Sequence, residues 1–433
     1  MEIKRDVYLN RLIVRKHNAF IKVITGIRRS GKSYLLNTLF YNHLIESGID
    51  DSHIIRFAFD SADDLIKIGE NPIILDNERE DRKIDPTKFL NWIQSKIADK
   101  NMHYILLDEV QKLGAFESVL NGFLRKTNLD VYVTGSNSKF LSKDILTEFE
   151  GRGDEVHVFP LSFSEYYAFK NGDKGEAFDE YSVYGGFPAV ALMTTEEQKT
   201  QYLISQMKNL YLRDIKNRYG LKDDTSIGEV LDVIASGISA LTNPRNISNT
   251  INSVYGGGVC DATVDRYISH MEDAFMLTRV KRFDVKGRKY IGTPYKIYFE
   301  DIGLRNARLN FRQIEGTHIM ENIIYNELRY RGYQVDVGVV ESREKDANGK
   351  EIRVQREIDF IAILGGKKYY IQSAYAIPDK AKYEQETASF DKTTDSFKKI
   401  VIIEKSMKPR YDEKGYVMMG VKEFLLDKNS LEA

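Results

Sequence analysis

Cysteine is almost absent, with Cys260 the only one in 433 residues. A single thiol excludes an intramolecular disulfide and any cysteine-rich zinc centre, and makes a reducing cytoplasm the expected compartment. Long apolar runs are missing too. None reaches the roughly 18 residues of a membrane span, so no membrane partner is expected. The opening MEIKRDVYLNRLIV has neither the apolar stretch nor the small-residue cleavage site of a signal peptide. Charge of one sign is also lacking: 63 basic against 64 acidic residues leave a formal −1. No global field draws this chain to nucleic acid or anionic lipid, and such contact has to come from a local patch. Repeats and low-complexity tracts are absent. The closing SLEA, residues 430–433, reads as a tail outside the fold.

What is present suits ordinary globular cores: 42% of residues are apolar, and the length points to two to four domains. FIKVIT (20–25) alternates and then runs apolar, as a buried strand does. GIRRSGKS follows, and YLLNTLFYNHL continues with helical spacing. Strand, glycine loop and helix form the context that the GxxxxGK[ST] phosphate loop requires. Gly26 and Gly31 let the backbone turn its amides inward around Ile27, Arg28, Arg29 and Ser30. Lys32 would reach the β- and γ-phosphates and Ser33 would put its hydroxyl on magnesium, with Tyr34 in the first helical turn. ATP and Mg2+ are the expected ligands. In HYILLDEVQ (103–111) an apolar strand ends on Asp108, a second magnesium holder, and Glu109, a general base for the attacking water.

The next strand, LDVYVTGSNS (129–138), ends in a polar cluster. Ser136 or Asn137 there would sense the γ-phosphate or orient the water, with a plain polar turn as the alternative. In FEGRGDEVHVFPL, Arg152 between two glycines is a candidate arginine finger, in cis or from a neighbouring subunit; an ordinary surface arginine is the competing reading.

The order GIRRSGKS, LLDEVQ, VTGSNSKFLS, EGRGDEVHVFPLSFSEY and YGGFPA resembles the AAA-type ATP-binding proteins of bacteria and archaea whose C-terminal half is a domain of unknown function. That resemblance covers nearly the whole chain. It implies a parallel sheet in 5-1-4-3-2 order with a helical lid, a sensor role for the Ser136–Asn137 region and a finger role for Arg152.

The expected fold is α/β throughout. An ATPase core spans 1–160, a helical lid 161–222, a winged helix-turn-helix 223–300 and a nuclease-like α/β domain 301–433. The winged helix is read from three helices followed by the strands LTRVKRFDV and KYIGTPYKIYF. Arg279, Lys281, Arg282, Lys286, Arg288 and Lys289 make its ribbon basic and suit phosphates of double-stranded DNA. Its third helix carries Asp261, Asp265, Glu272 and Asp273, which repel them, so protein docking stands as the alternative. In the last segment Glu321, Asp359 and Gln372 are laid out as in the restriction-endonuclease-like core, which they resemble. Glu357 lies two residues before Asp359, on the same strand face. The lysine position of that pattern is Ala374, which favours an inactive nuclease fold. Three functions follow in descending order: an ATP-driven switch acting on DNA or a protein client, an ATP-gated DNA-binding regulator, and an ATP-dependent nuclease.

Overall fold

A computed structural model describes residues 3–72, 83–135, 151–221, 225–256, 258–345 and 349–432, without the side chains of 209–211, 213, 214, 217 and 218. The chain packs as two compact units. The first comprises residues 1–160 with 217–221 and 273–275; the second comprises 161–216, 222–272 and 276–433.

In the first unit five strands form one parallel sheet: β1 (Ile21–Thr25), β2 (Ile54–Ala58), β3 (His103–Asp108), β4 (Leu129–Thr134) and β5 (Gly153–His157). Their order is β2-β3-β4-β1-β5, the order that the family resemblance implied. Near-continuous apolar sequence is what strands covered on both faces require. Phe57, Phe59, Phe89, Ile105 and Leu107 pack one of those faces. One departure from that pattern is Lys22, fully buried in β1, whose ammonium meets Asp130 of β4. Burial pushes the Lys22 ammonium down, and the Asp130 carboxylate pulls it back up. Asp130 also accepts from the Tyr132 hydroxyl at 3.0 Å.

The second unit is built on an eight-stranded mixed sheet. Its strands are β6 (Leu277–Asp284), β7 (Lys289–Phe299), β8 (Gln334–Lys345), β9 (Glu351–Leu364), β10 (Lys367–Ala374), β11 (Lys398–Ile403), β12 (Arg410–Tyr411) and β13 (Val417–Gly420). They run in the order β12-β13-β11-β10-β9-β8-β6-β7. This corrects the expected boundary at residue 300. The ribbon β6–β7 is no free-standing wing, because β6 pairs in parallel with β8 through Arg282–Val337, Phe283–Gly338 and Asp284–Val339. An exposed edge strand leaves a row of unpaired amides and carbonyls, and β8 satisfies them.

Residues 161–216 of the segment expected to form a separate lid belong to the second unit as well. The segment starts at Ser162, where a capping box with Glu165 launches the helix Phe163–Lys170. The following helix Lys174–Tyr184 is locked to Ile302–Arg308. Asn306 Nδ2 donates to the carbonyls of Ser182 and Val183 at 3.0 and 2.9 Å. Gly186 N donates to Asp301 at 2.7 Å. The closing residues are also part of this unit, contrary to expectation. Leu431 is buried, Arg331 Nη1 donates to Ser430 Oγ at 2.9 Å, and Lys367 pairs with Glu432 at 2.6 Å. Among the described residues no helix is long and apolar enough to cross a membrane.

Breaking the Lys22–Asp130 pair from one side should cost more than removing both partners. Lys22→Met is expected to destabilise the first unit by about 3–5 kcal/mol, and Lys22→Met/Asp130→Leu to regain part of that. Fluorescence of Trp92, the one tryptophan, which packs on Phe57 in this unit, follows the denaturant transition.

Candidate nucleotide site

The phosphate loop leaves β1 at a point where only glycine fits. Gly26 has φ +128°, and a Cβ there would lie 2.1 Å from the Val158 carbonyl oxygen. Gly31 is left-handed at φ 98° and opens the helix that begins at Lys32. Between them Ile27 and Ser30 are buried, whereas Arg28 and Arg29 are exposed. Lys32 Nζ donates to the carbonyls of Gly26 and Ile27 at 2.9 and 3.0 Å, so its ammonium lies across the loop's mouth. Tyr34 stands half-exposed one residue after Ser33.

Two residues outside the motif brace the loop. Arg5, almost fully buried, donates to the Ser30 carbonyl at 2.9 Å and to the Phe159 carbonyl at 2.6 Å. Phe159 N in turn donates to the Tyr8 hydroxyl at 3.0 Å. An arginine in MEIKRDVYL carries no motif, so only contacts across the fold expose this role.

Sheet register brings the acids to the loop. Ala58 of β2 is level with Asp108 of β3, and Ile24 of β1 is level with Thr134 of β4. The carboxyl ends of these strands therefore form one edge, where parallel α/β sheets bind ligands. Asp108 is buried there and accepts from the Thr134 hydroxyl, from Asn37 Nδ2 at 3.2 Å and from Ser33. Burial raises its carboxyl above the usual range, while Thr134 and Ser33 oppose that rise. Glu109 follows with a left-handed backbone, φ 54° and ψ 43°, uncommon for a residue with a side chain. Its amide donates to Thr134 Oγ1 at 3.1 Å, and its carboxylate accepts from Gln111 Nε2. Thr134 was missed in the sequence, where it is simply the last residue of VYVT. Ser136 and Asn137, the expected sensors, lie outside the described residues.

The cis role for Arg152 is corrected. Its carbonyl accepts from Ile21 N at 3.0 Å, at the amino end of β1 and β5. The loop lies at the other end, beside Val158, six residues further on. Strand rise makes that separation about 20 Å, beyond an arginine's reach.

In the second unit Glu321 and Asp359 do come together, and Glu357 joins them. Gln372 follows Ile371, the register partner of Phe360, on the strand beside Asp359, and its Nε2 lies 3.4 Å from Glu386. The three carboxylates surround a residue that the sequence reading overlooked, Lys296 of β7. Its Nζ lies 2.8 Å from Glu321, 2.7 Å from Glu357 and 3.1 Å from Asp359. Burial alone would lower this ammonium, but Asp359, Glu321 and Glu357 outweigh it and hold it well above the ordinary lysine range. Glu321 is pushed up to about 7 by burial, against the pull of Lys296. A lysine inside the apolar strand end YKIYF was the available signal.

The basic ribbon is partly occupied. Arg279 pairs with Asp265 and Glu272, both at 2.5 Å, so those acids hold the ribbon rather than repel a ligand. Arg282 donates to the Pro294 carbonyl at 3.0 Å and Lys286 to the Glu341 carbonyl at 2.9 Å. Lys281, Lys286, Arg288 and Lys289 are exposed.

Comparison with known proteins agrees with this architecture. An AAA domain profile matches residues 18–167, and a domain of unknown function (DUF8612) matches 175–315. An uncharacterized protein of Haemophilus influenzae is 33% identical over 407 residues, 92% of this chain and 93% of its own. The chain belongs to the AAA-type P-loop ATPases that carry a C-terminal domain of unknown function. An uncharacterized protein of Methanocaldococcus jannaschii is a more distant relative, 26% identical over 92% of this chain and 82% of its own. Among solved structures, the Aeropyrum pernix ORC1 protein in complex with DNA is similar at 11% identity and TM-score 0.32, over 71% of this chain and 92% of that one. Cdc6p from Pyrobaculum aerophilum follows at 11% identity and TM-score 0.26, over 75% and 96%.

Two predictions test the two acid sites of this chain. Thr134→Val should leave the fold intact and lower Mg-ATP turnover by about 10–100-fold, the usual effect of losing a group that orients a metal-holding carboxylate; steady-state phosphate release measures it. Glu321, with a folded value near 7, binds its proton more tightly than an unfolded glutamate does. Its contribution to stability is therefore present below about pH 4.5 and lost as pH rises through about 7. Calorimetry of the transition that Trp92 does not report should show this loss, and Glu321→Gln should flatten it.

Proposed function

We propose that this protein binds Mg-ATP at Gly26–Ser33, hydrolyses it with Glu109 as general base, and uses the cycle as a conformational switch. The observation that supports this most is the meeting of Ser33, Asp108, Glu109 and Thr134 at one sheet edge beside the phosphate loop. Ser33 and Asp108 fit a magnesium ion, being a hydroxyl and a buried carboxylate in mutual contact. Bound there with ATP, the ion would neutralise charge on the β- and γ-phosphates. The residues do the rest. The Gly26–Gly31 backbone orients its amides, and Lys32 exchanges loop carbonyls for phosphate oxygens. Thr134 holds Asp108 and the Glu109 amide together, so the Glu109 carboxylate is set to accept a proton from water.

A second reading, an ATP-gated DNA-binding regulator, is favoured by Lys281, Lys286, Arg288 and Lys289 exposed along one ribbon. Nuclease activity is disfavoured, because Lys296 already occupies the centre of the carboxylates. Arg152 as a finger requires a neighbouring subunit.

Purified protein should release phosphate from Mg-ATP. Lys32→Ala should abolish nucleotide binding, while Glu109→Gln should keep binding and lose roughly 10²–10⁴-fold in turnover. Unchanged turnover in both variants sinks the hydrolase reading. Stimulation by duplex DNA, lost in Lys286→Glu/Arg288→Glu, supports the DNA reading; no DNA binding at low salt, with or without ATP, removes it.

A further inference from the structure

At the amino edge of the first sheet, away from the nucleotide loop, three side chains converge. His53 ends the short turn Asp51–His53 that enters β2, and His103 begins β3. Ile54 pairs with Tyr104, so the two histidines are level on neighbouring strands, with ring centroids 4.8 Å apart. Asp99 comes from the turn between the helix Pro86–Lys96 and β3. One ligating atom from each of His53, Asp99 and His103 lies within 4.8 Å of the other two.

The tautomer of His103 is set. Its Nδ1 lies 2.8 Å from the Asn101 carbonyl, which can only accept, so Nδ1 carries the hydrogen and Nε2 presents a lone pair. The His103 side chain is fully buried, and its Nε2 has no hydrogen-bond partner. Asp99 Oδ1 lies 4.0 Å from it, too far for a hydrogen bond but close to the spacing of two ligands of one ion. A backbone carbonyl behind an imidazole is also the arrangement that orients a metal-bound histidine.

Asp99 is fixed as well. Asn101 donates to both of its oxygens, through the backbone amide at 2.8 Å and Nδ2 at 2.7 Å. These hydrogen bonds, with that from His53, keep the carboxyl below the usual range. His53 Nε2 lies 3.1 Å from Asp99 Oδ2. Bonds of about 2.0–2.2 Å to a tetrahedral ion place ligating atoms about 3.4 Å apart, so closure shortens the separations by no more than about 1.4 Å. Asp99 is exposed and His53 partly so, which leaves an entry path and an open coordination position.

We propose that His53, Asp99 and His103 form a binding site for a divalent transition metal, with Zn2+ the best match. Two imidazoles and one carboxylate are borderline-soft ligands that favour zinc, cobalt or nickel over magnesium or calcium. Asp108 lies five residue steps along β3 from His103, about 17 Å by strand rise, so this ion takes no part in phosphoryl chemistry. It clasps the turn at Asp99 onto the entrances of β2 and β3.

The test uses full-length, EDTA-stripped, nucleotide-free protein titrated with Co2+ by visible absorption and with Zn2+ by calorimetry. One site per chain is expected, and bound Zn2+ should raise the midpoint of the Trp92-reported transition. His53→Gln and Asp99→Asn should each weaken binding by at least the roughly 10–100-fold that loss of an outer-shell partner costs. Those residues are partly or well exposed, so their variants keep the fold even where His103→Gln does not. Absence of a cobalt spectrum in the wild type, or Zn2+ binding that survives His53→Gln/Asp99→Asn, overturns the proposal.

Discussion

Asp108 is an acid forced into a buried position at the end of an apolar strand, and the nucleotide site is organised around keeping it there. A carboxylate out of water needs donors, and here they come from three separate segments: Thr134 on β4, Asn37 in the helix after the loop, and Ser33 in the loop itself. The same threonine oxygen accepts the Glu109 amide, so one hydroxyl ties both acids to the neighbouring strand. The loop is held from its other side by Arg5 and by the close approach of Gly26 to Val158. The acids and the loop are thus held by the protein's own side chains and backbone.

The second unit solves a related problem differently. Glu321, Glu357 and Asp359 gather three carboxyl groups at a largely buried place, and Lys296 supplies a cation from within the chain. That cation comes from the ribbon expected to be a wing. Its strand β6 joins β8, so ribbon and C-terminal strands share one sheet, and a charge on the ribbon can answer charges on β9. The ammonium stands among the three carboxylates and offsets their charge from within the chain.

Much of the first unit was legible because its signals are local. GIRRSGKS between a strand pattern and a helix pattern has one common physical explanation, and LLDEVQ places acids at a strand end by alternation alone. Strand order followed the family resemblance. Thr134, Arg5 and Lys296 were not legible, since each acts across long stretches of chain. The choice between cis and trans for Arg152 was not legible, because EGRGD specifies a turn but not which end of the sheet that turn occupies.

The sequence by itself determined the phosphate loop, its glycines, the acids at the end of β3 and the succession of strands and helices, because backbone sterics and hydrophobic period are properties of neighbours in the chain. Tertiary structure alone decided which cation meets Glu321 and Asp359, which hydroxyl holds Asp108, and that His53 and His103 lie side by side at the entrances of β2 and β3. Register between strands sets those meetings, and register is fixed only when the whole sheet packs.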